Sequence, residues 1–229
     1  MPRRQSSRGT CVFCKNDYTR SGMGRHLSAC KARKAAIANE EASDSPKTGL
    51  FHLVVQGTHS PDHWMHLQVP VDATLHDLDQ FLRDTWLECC GHLSMFQITG
   101  KNFMSQVFES WWGNEDQDMD FELSEVLAPG IKFAHEYDFG TSTYLAVRVL
   151  SEREGVASTD KLVQILARNH PLDYRCEVCG EPATRICGFC GYTLLCDECI
   201  ETHECGEEGL LPVVNSPRMG MCGYTGGAW

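Results

Sequence analysis

The sequence predicts an α+β fold, a small mixed α+β core with a cysteine-bearing module at each end. Three observations lead there: apolar residues in the middle of the chain alternate with a period of two, one central stretch carries them at helical spacing, and most of the 13 cysteines crowd the two ends. With 229 residues and 42% hydrophobic content, the chain can build one good core and small satellites, but not two large enzyme domains.

The core is read over residues 50–169. Phe51, Leu53 and Val55 alternate with His52, Val54 and Gln56, and Met65, Leu67 and Val69 do so ahead of Pro70. Both runs read as strands, with His52 and His66 on their exposed sides. Thr74 and Asp77 form a capping box for a helix carrying Leu75, Leu78, Leu82 and Trp86, with Gly91 beyond its end. Met95–Thr99 reads as a third strand and Ser124–Leu127 as a helical turn closed by Pro129 and Gly130. Ile131–Phe139 and Tyr144–Leu150 follow as a hairpin turning through Gly140, Thr141 and Ser142. Leu162, Val163, Ile165 and Leu166 suggest a second helix over Asp160–Arg168.

Around this core, residues 1–38 form one module, 39–49 a polar linker and 170–229 a cysteine-rich module with an extended tail. Charge divides along the same lines. The first 36 residues hold nine basic side chains against Asp17, a net +8, whereas the remainder carries −19 of the total −11. A basic front attracts phosphate and an acidic body repels it. The opening residues lack an apolar signal region, and no run approaches membrane-spanning length, so a cytoplasmic protein with no membrane partner is expected.

In that setting, clustered Cys-x2-Cys pairs argue for metal rather than disulfides. Cys11, Cys14, His26 and Cys30 have the spacing of a small ββα zinc finger ending in Cys instead of His, with Tyr18 and Met23 placed as its core residues. A second constellation offers Cys176, Cys179, Cys187, Cys190, Cys196, Cys199, His203 and Cys205, eight ligands in a segment too poor in apolar residues to fold without metal. Three Zn2+ ions are therefore expected. Consecutive and interleaved pairing of the eight ligands both fit, and Cys222 is a spare thiol able to replace Cys205. The interleaved alternative resembles B-box and related cross-brace modules. That resemblance implies one ion on Cys176, Cys179, Cys196 and Cys199 and another on Cys187, Cys190, His203 and Cys205.

Residues 50–155 resemble the Ri-plasmid open-reading-frame-three-like family of plasmid and insertion-element passenger proteins. The resemblance lies in His63–Pro70, Ala73–Leu78, Leu123–Leu127 and the Tyr137-Asp138-Phe139-Gly140 step before a strand. It implies a compact α+β domain and little about activity. Members continue with Asp-x-Trp-x-His, where this chain has Thr141, Thr143 and Leu145. No Tyr-x-Arg-x-Ser recombinase motif is present, so no recombinase activity is carried over.

The positions where a classical zinc finger reads bases fall on Thr19, Gly22 and Arg25, two of them poor readers. The finger is thus expected to anchor nucleic acid, DNA first, through Arg20, Arg25, Lys31, Arg33 and Lys34 with little sequence preference, while the acidic remainder meets a protein effector. The alternative is a protein-interaction adaptor with metal staples. No nucleophile–base pair, P-loop or GxGxxG is visible, so no enzyme is expected. Asp138 reads as a turn-holding residue, Glu115, Asp116, Asp118 and Asp120 as a solvated loop, Cys89 and Cys90 as small core thiols, and Trp111–Trp112 as a core flap or partner anchor.

Overall fold

A computed structural model of the chain describes residues 7–107 and 116–227, so Trp111, Trp112 and Glu115 lie outside the described residues. It divides into one unit of residues 1–81 and 93–170 and another of 82–92 and 171–229.

The first unit is mixed α and β, built on a nine-stranded antiparallel sheet. Its strands are β1 (Arg8–Cys11), β2 (Asp17–Thr19), β3 (Lys47–Gly57), β4 (Trp64–Pro70), β5 (Ser94–Ile98), β6 (Lys101–Met104), β7 (Lys132–Tyr137), β8 (Thr143–Val156) and β9 (Gln164–Asn169). They lie in the order β2-β1-β9-β4-β3-β8-β7-β5-β6. Its helices are α1 (Arg20–Ala29), α2 (Lys31–Glu41), α3 (Leu75–Leu82) and α4 (Leu123–Val126).

Local signals set several of these elements. The Thr74 hydroxyl accepts from the Asp77 backbone N–H at 3.1 Å, and the Asp77 carboxylate accepts from the Thr74 N–H at 2.8 Å. This reciprocal cap opens α3, whose Leu75, Leu78 and Leu82 are buried. At the β7–β8 turn, Asp138 sits at φ 66°, and its carboxylate accepts from the N–H groups of Gly140 and Thr141. A short polar side chain tolerates that left-handed position by holding the turn together, so Asp138 is a structural residue.

The helix expected over Asp160–Arg168 is instead strand β9, paired antiparallel with β4 on one side and β1 on the other. A short apolar run with β-branched Val163 and Ile165 suits either period, and two waiting strand edges decide the outcome. Gly9 makes the β1 pairing possible, because a Cβ there would collide with the Arg168 carbonyl. The polar 39–49 segment is also more ordered than a linker: α2 extends to Glu41 and β3 starts at Lys47.

His52 and His66, expected on exposed strand faces, are buried. Helices α1 and α2 lie over that side of the sheet: the α carbon of Gly24 faces His66 and Leu150, and Arg153 of β8 pairs with Glu40 of α2 at 2.9 Å. The imidazoles meet at 3.0 Å, Nε2 of His52 to Nδ1 of His66, where the strand register shifts after each residue. Burial lowers the pKa of His52 to about 3 and that of His66 to about 4, with the Arg33 charge adding to both shifts.

Because unfolding restores ordinary imidazoles near 6.5, the unfolded chain binds more protons below that pH, and stability falls as pH drops from about 6.5 towards 4. Between pH 6.5 and 5 the loss is expected to be about 2 kcal/mol for His66. Urea midpoints at the two pH values check this: His66→Gln should flatten the dependence, and an unchanged slope would contradict it.

The second unit holds a π-helical turn (Arg83–Leu87) and a three-stranded sheet in the order β11-β10-β12. The strands are β10 (Arg185–Cys187), β11 (Thr193–Leu195) and β12 (Leu210–Pro212), joined by α5 (Asp197–Ile200) and a 3-10 turn (Glu207–Gly209). Ser216 donates to the Trp86 carbonyl at 2.6 Å, tying the tail to the π-helical turn. Among the described residues no helix is long and apolar enough to cross a membrane.

Candidate metal centres

Cys11 closes β1, Cys14 lies in the turn to β2, His26 projects from α1, and Cys30 separates α1 from α2. Their donor atoms all lie within 4.8 Å of one another, with Cys14 Sγ 3.3 Å from His26 Nε2. The Tyr18 ring stacks on His26 at 3.7 Å, and Met23 and Leu27 are buried beside Cys11, Cys30, Trp64, Leu166 and Ala167. This N-terminal segment therefore shares its apolar core with β4 and β9.

Burial lowers the His26 pKa, which favours the neutral imidazole whose nitrogen lone pair a metal needs. The Asn16 backbone N–H favours the Cys14 thiolate, whereas burial pushes Cys11 up. Thiols this crowded cannot all ionise against one another, and a divalent cation among them removes the repulsion.

In the second unit the donors gather in the interleaved arrangement: Cys176, Cys179, Cys196 and Cys199 form one group, and Cys187, Cys190, His203 and Cys205 another. The β10–β11 hairpin produces this alternation, because its two strands run from one group to the other. Cys179 Sγ is 3.5 Å from Cys196 Sγ, and Cys190 Sγ is 3.5 Å from His203 Nε2. The Cys179 backbone N–H lowers the Cys176 pKa to about 6, while burial raises Cys205 to about 11.

A fourth group was not legible as a motif: Cys89, Cys90, His92 and Cys222. Far from being core thiols, Cys90 is exposed and Cys89 half-buried, and the spare thiol Cys222 is exposed beside them. All 13 cysteines thus fall into four-donor groups, three of them joining three cysteines to one histidine and the other made of cysteines alone. These groups can hold metal ions. Cysteine sulfur and neutral imidazole suit zinc, and a tetrahedron of about 2.3 Å zinc–sulfur bonds has sulfur–sulfur edges of about 3.8 Å. The 3.5 Å spacing of Cys179 and Cys196 is close to that edge.

The basic residues separate differently. Arg25, Lys31 and Lys34 are exposed, and Arg20 donates to Gln56 at 2.8 Å. Arg33 needs correction as a phosphate contact: it is 8% exposed and donates to the Leu27 carbonyl at 3.2 Å. The helices packed over the sheet enclose it, and burial even lowers its pKa.

Asp116 accepts from Asn102 of β6, and Asp118 accepts from the Asp120 N–H, so these carboxylates hold the segment against the strand and in its own turn. A buried Ser94–Asp79–His135 cluster lacks the order of a catalytic triad. Ser94, at 2.9 Å, and His135, at 2.6 Å, both bond to Asp79, so the carboxylate rather than the imidazole stands in the middle.

No family model matches the chain, and no curated protein matches it. A solved structure of a protein of unknown function from Methanosarcina mazei Go1 is similar at 19% identity, covering 46% of this chain and 61% of that one, with a TM-score of 0.39. The matched part is less than two thirds of that protein's length.

Proposed function

We propose that the chain is a zinc-stapled, non-catalytic accessory protein that grips the phosphate backbone of nucleic acid, DNA first, with a basic face of its finger and offers its acidic remainder to a protein effector. The observation that carries this reading is the exposure of Arg25, Lys31 and Lys34 on the two helices flanking Cys30, in a chain whose residues beyond 36 carry −19. Lys31 and Lys34 stand one helical turn apart and share a face of α2. Zinc supplies fold rather than reaction in this reading, since four-donor sites leave no position for substrate. The mobile-element setting rests on the family resemblance of residues 50–155 alone.

Three phosphate contacts give a salt slope near −2.7, so duplex binding should weaken about 40-fold between 50 and 200 mM salt. In mobility shifts, Arg25→Glu, Lys31→Glu and Lys34→Glu should weaken all duplexes alike. Binding that survives the triple variant, or that follows one sequence, would contradict the proposal. The adaptor reading is favoured by the pairing of β1 with β9 and the burial of Arg33, which commit much of the finger to the fold. It predicts no duplex shift at 50 mM salt.

A further inference from the structure

We propose that Cys89, Cys90, His92 and Cys222 hold a fourth zinc ion, which clasps the C-terminal tail to the segment following the π-helical turn. Their four donor atoms lie within 4.8 Å of one another, although 130 residues separate His92 from Cys222. Cys89 Sγ lies 3.7 Å from Cys90 Sγ, and Cys90 Sγ lies 3.8 Å from Cys222 Sγ. Both distances match the edge of about 3.8 Å expected between thiolates on one tetrahedral zinc. His92 Nε2 faces the same point, 2.9 Å from Cys90 Sγ and 3.1 Å from Cys222 Sγ.

The backbone repeats a device of the other groups. The residue after Cys14, Cys179, Cys190 or Cys205 has positive φ: Lys15 at 61°, Gly180 at 81°, Gly191 at 83° and Gly206 at 74°. Here Gly91 follows Cys90 at 76°, and Gly223 follows Cys222 at 70°. Cys222 itself sits at φ 46°, a position that costs a side-chain-bearing residue energy and that a metal bond would offset.

Charge also balances. Three thiolates and a neutral imidazole on Zn2+ leave one net negative charge, and buried Arg218 donates from Nη2 to Cys89 Sγ at 3.3 Å. The sulfur-rich donor set selects zinc among abundant divalent ions over magnesium or calcium. Because Cys90 and Cys222 are exposed, this ion should exchange faster than the one in the finger.

Elemental analysis of the full chain, freed of loose zinc by gel filtration, tests the site. Wild type should carry four equivalents, Cys222→Ser three, and His92→Cys, which keeps a ligand, four. Ser216→Ala, which loosens the tail without touching a ligand, should also carry four and so separates ligation from tail packing. Three equivalents in wild type with no change in Cys222→Ser would overturn this site alone and leave the other three standing. A chain with no bound metal would overturn the whole zinc reading.

Discussion

Loss of metal from the proposed Cys11, Cys14, His26 and Cys30 site, in a Cys14→Ser variant or by chelation, is expected to unfold more than residues 7–41. A structural zinc contributes an apparent 10–16 kcal/mol, roughly the whole stability of a typical domain. Strand β1 pairs with β9, and Met23 and Leu27 share a buried cluster with Trp64, Leu166 and Ala167. When this segment opens, that cluster meets water and β9 loses one of its two neighbours. Hydrogen exchange should show lost protection over residues 164–169 as well as 7–41, with β5 and β7 still protected. Exchange confined to 7–41 would show that this segment is an independent bead.

Asp79→Ala should be the most damaging change of a polar side chain in the first unit outside the four-donor groups. The carboxylate is buried and serves both His135, at 2.6 Å, and Ser94, at 2.9 Å. Truncation removes the acceptor that both partners share in the interior, a loss of about 1–3 kcal/mol for a buried polar group, and more where the lost group is charged. Urea unfolding should show the midpoint falling accordingly, and Asp79→Asn, which keeps a polar group of the same shape, should lose less. A drop below about 1 kcal/mol would mean that the pair adds little to the fold.

What can be read from the sequence is local. The alternation over Phe51–Gln56, the reciprocal cap of Thr74 and Asp77, and the hairpin turn at Asp138 each depend on residues a few positions apart, and the structure has all three. The rest depends on partners distant in the chain. Strand β9 reads as a helix on its own because β1, more than 150 residues earlier, completes its pairing. The polar alternation at His52 and His66 suggests solvent, yet a helix pair of mostly charged and small residues covers them. The i, i+4 pair Met23 and Leu27 is the signal that α1 has a buried face.

The ligand sets divide in the same way. Twelve candidate donors announce themselves by spacing, whereas Cys89, Cys90 and Cys222 have no motif to join. Their clue is arithmetic, three thiols left over with His92 two residues from one of them.

Zinc-edge X-ray absorption on the purified full chain addresses the claim that these groups are closed zinc staples. The expected spectrum has a dominant sulfur shell at about 2.3 Å, a minor nitrogen shell at about 2.0–2.1 Å and no exchangeable oxygen. An oxygen ligand that exchanges with added anions, at zinc held by only three protein donors, would contradict the claim and point to catalysis.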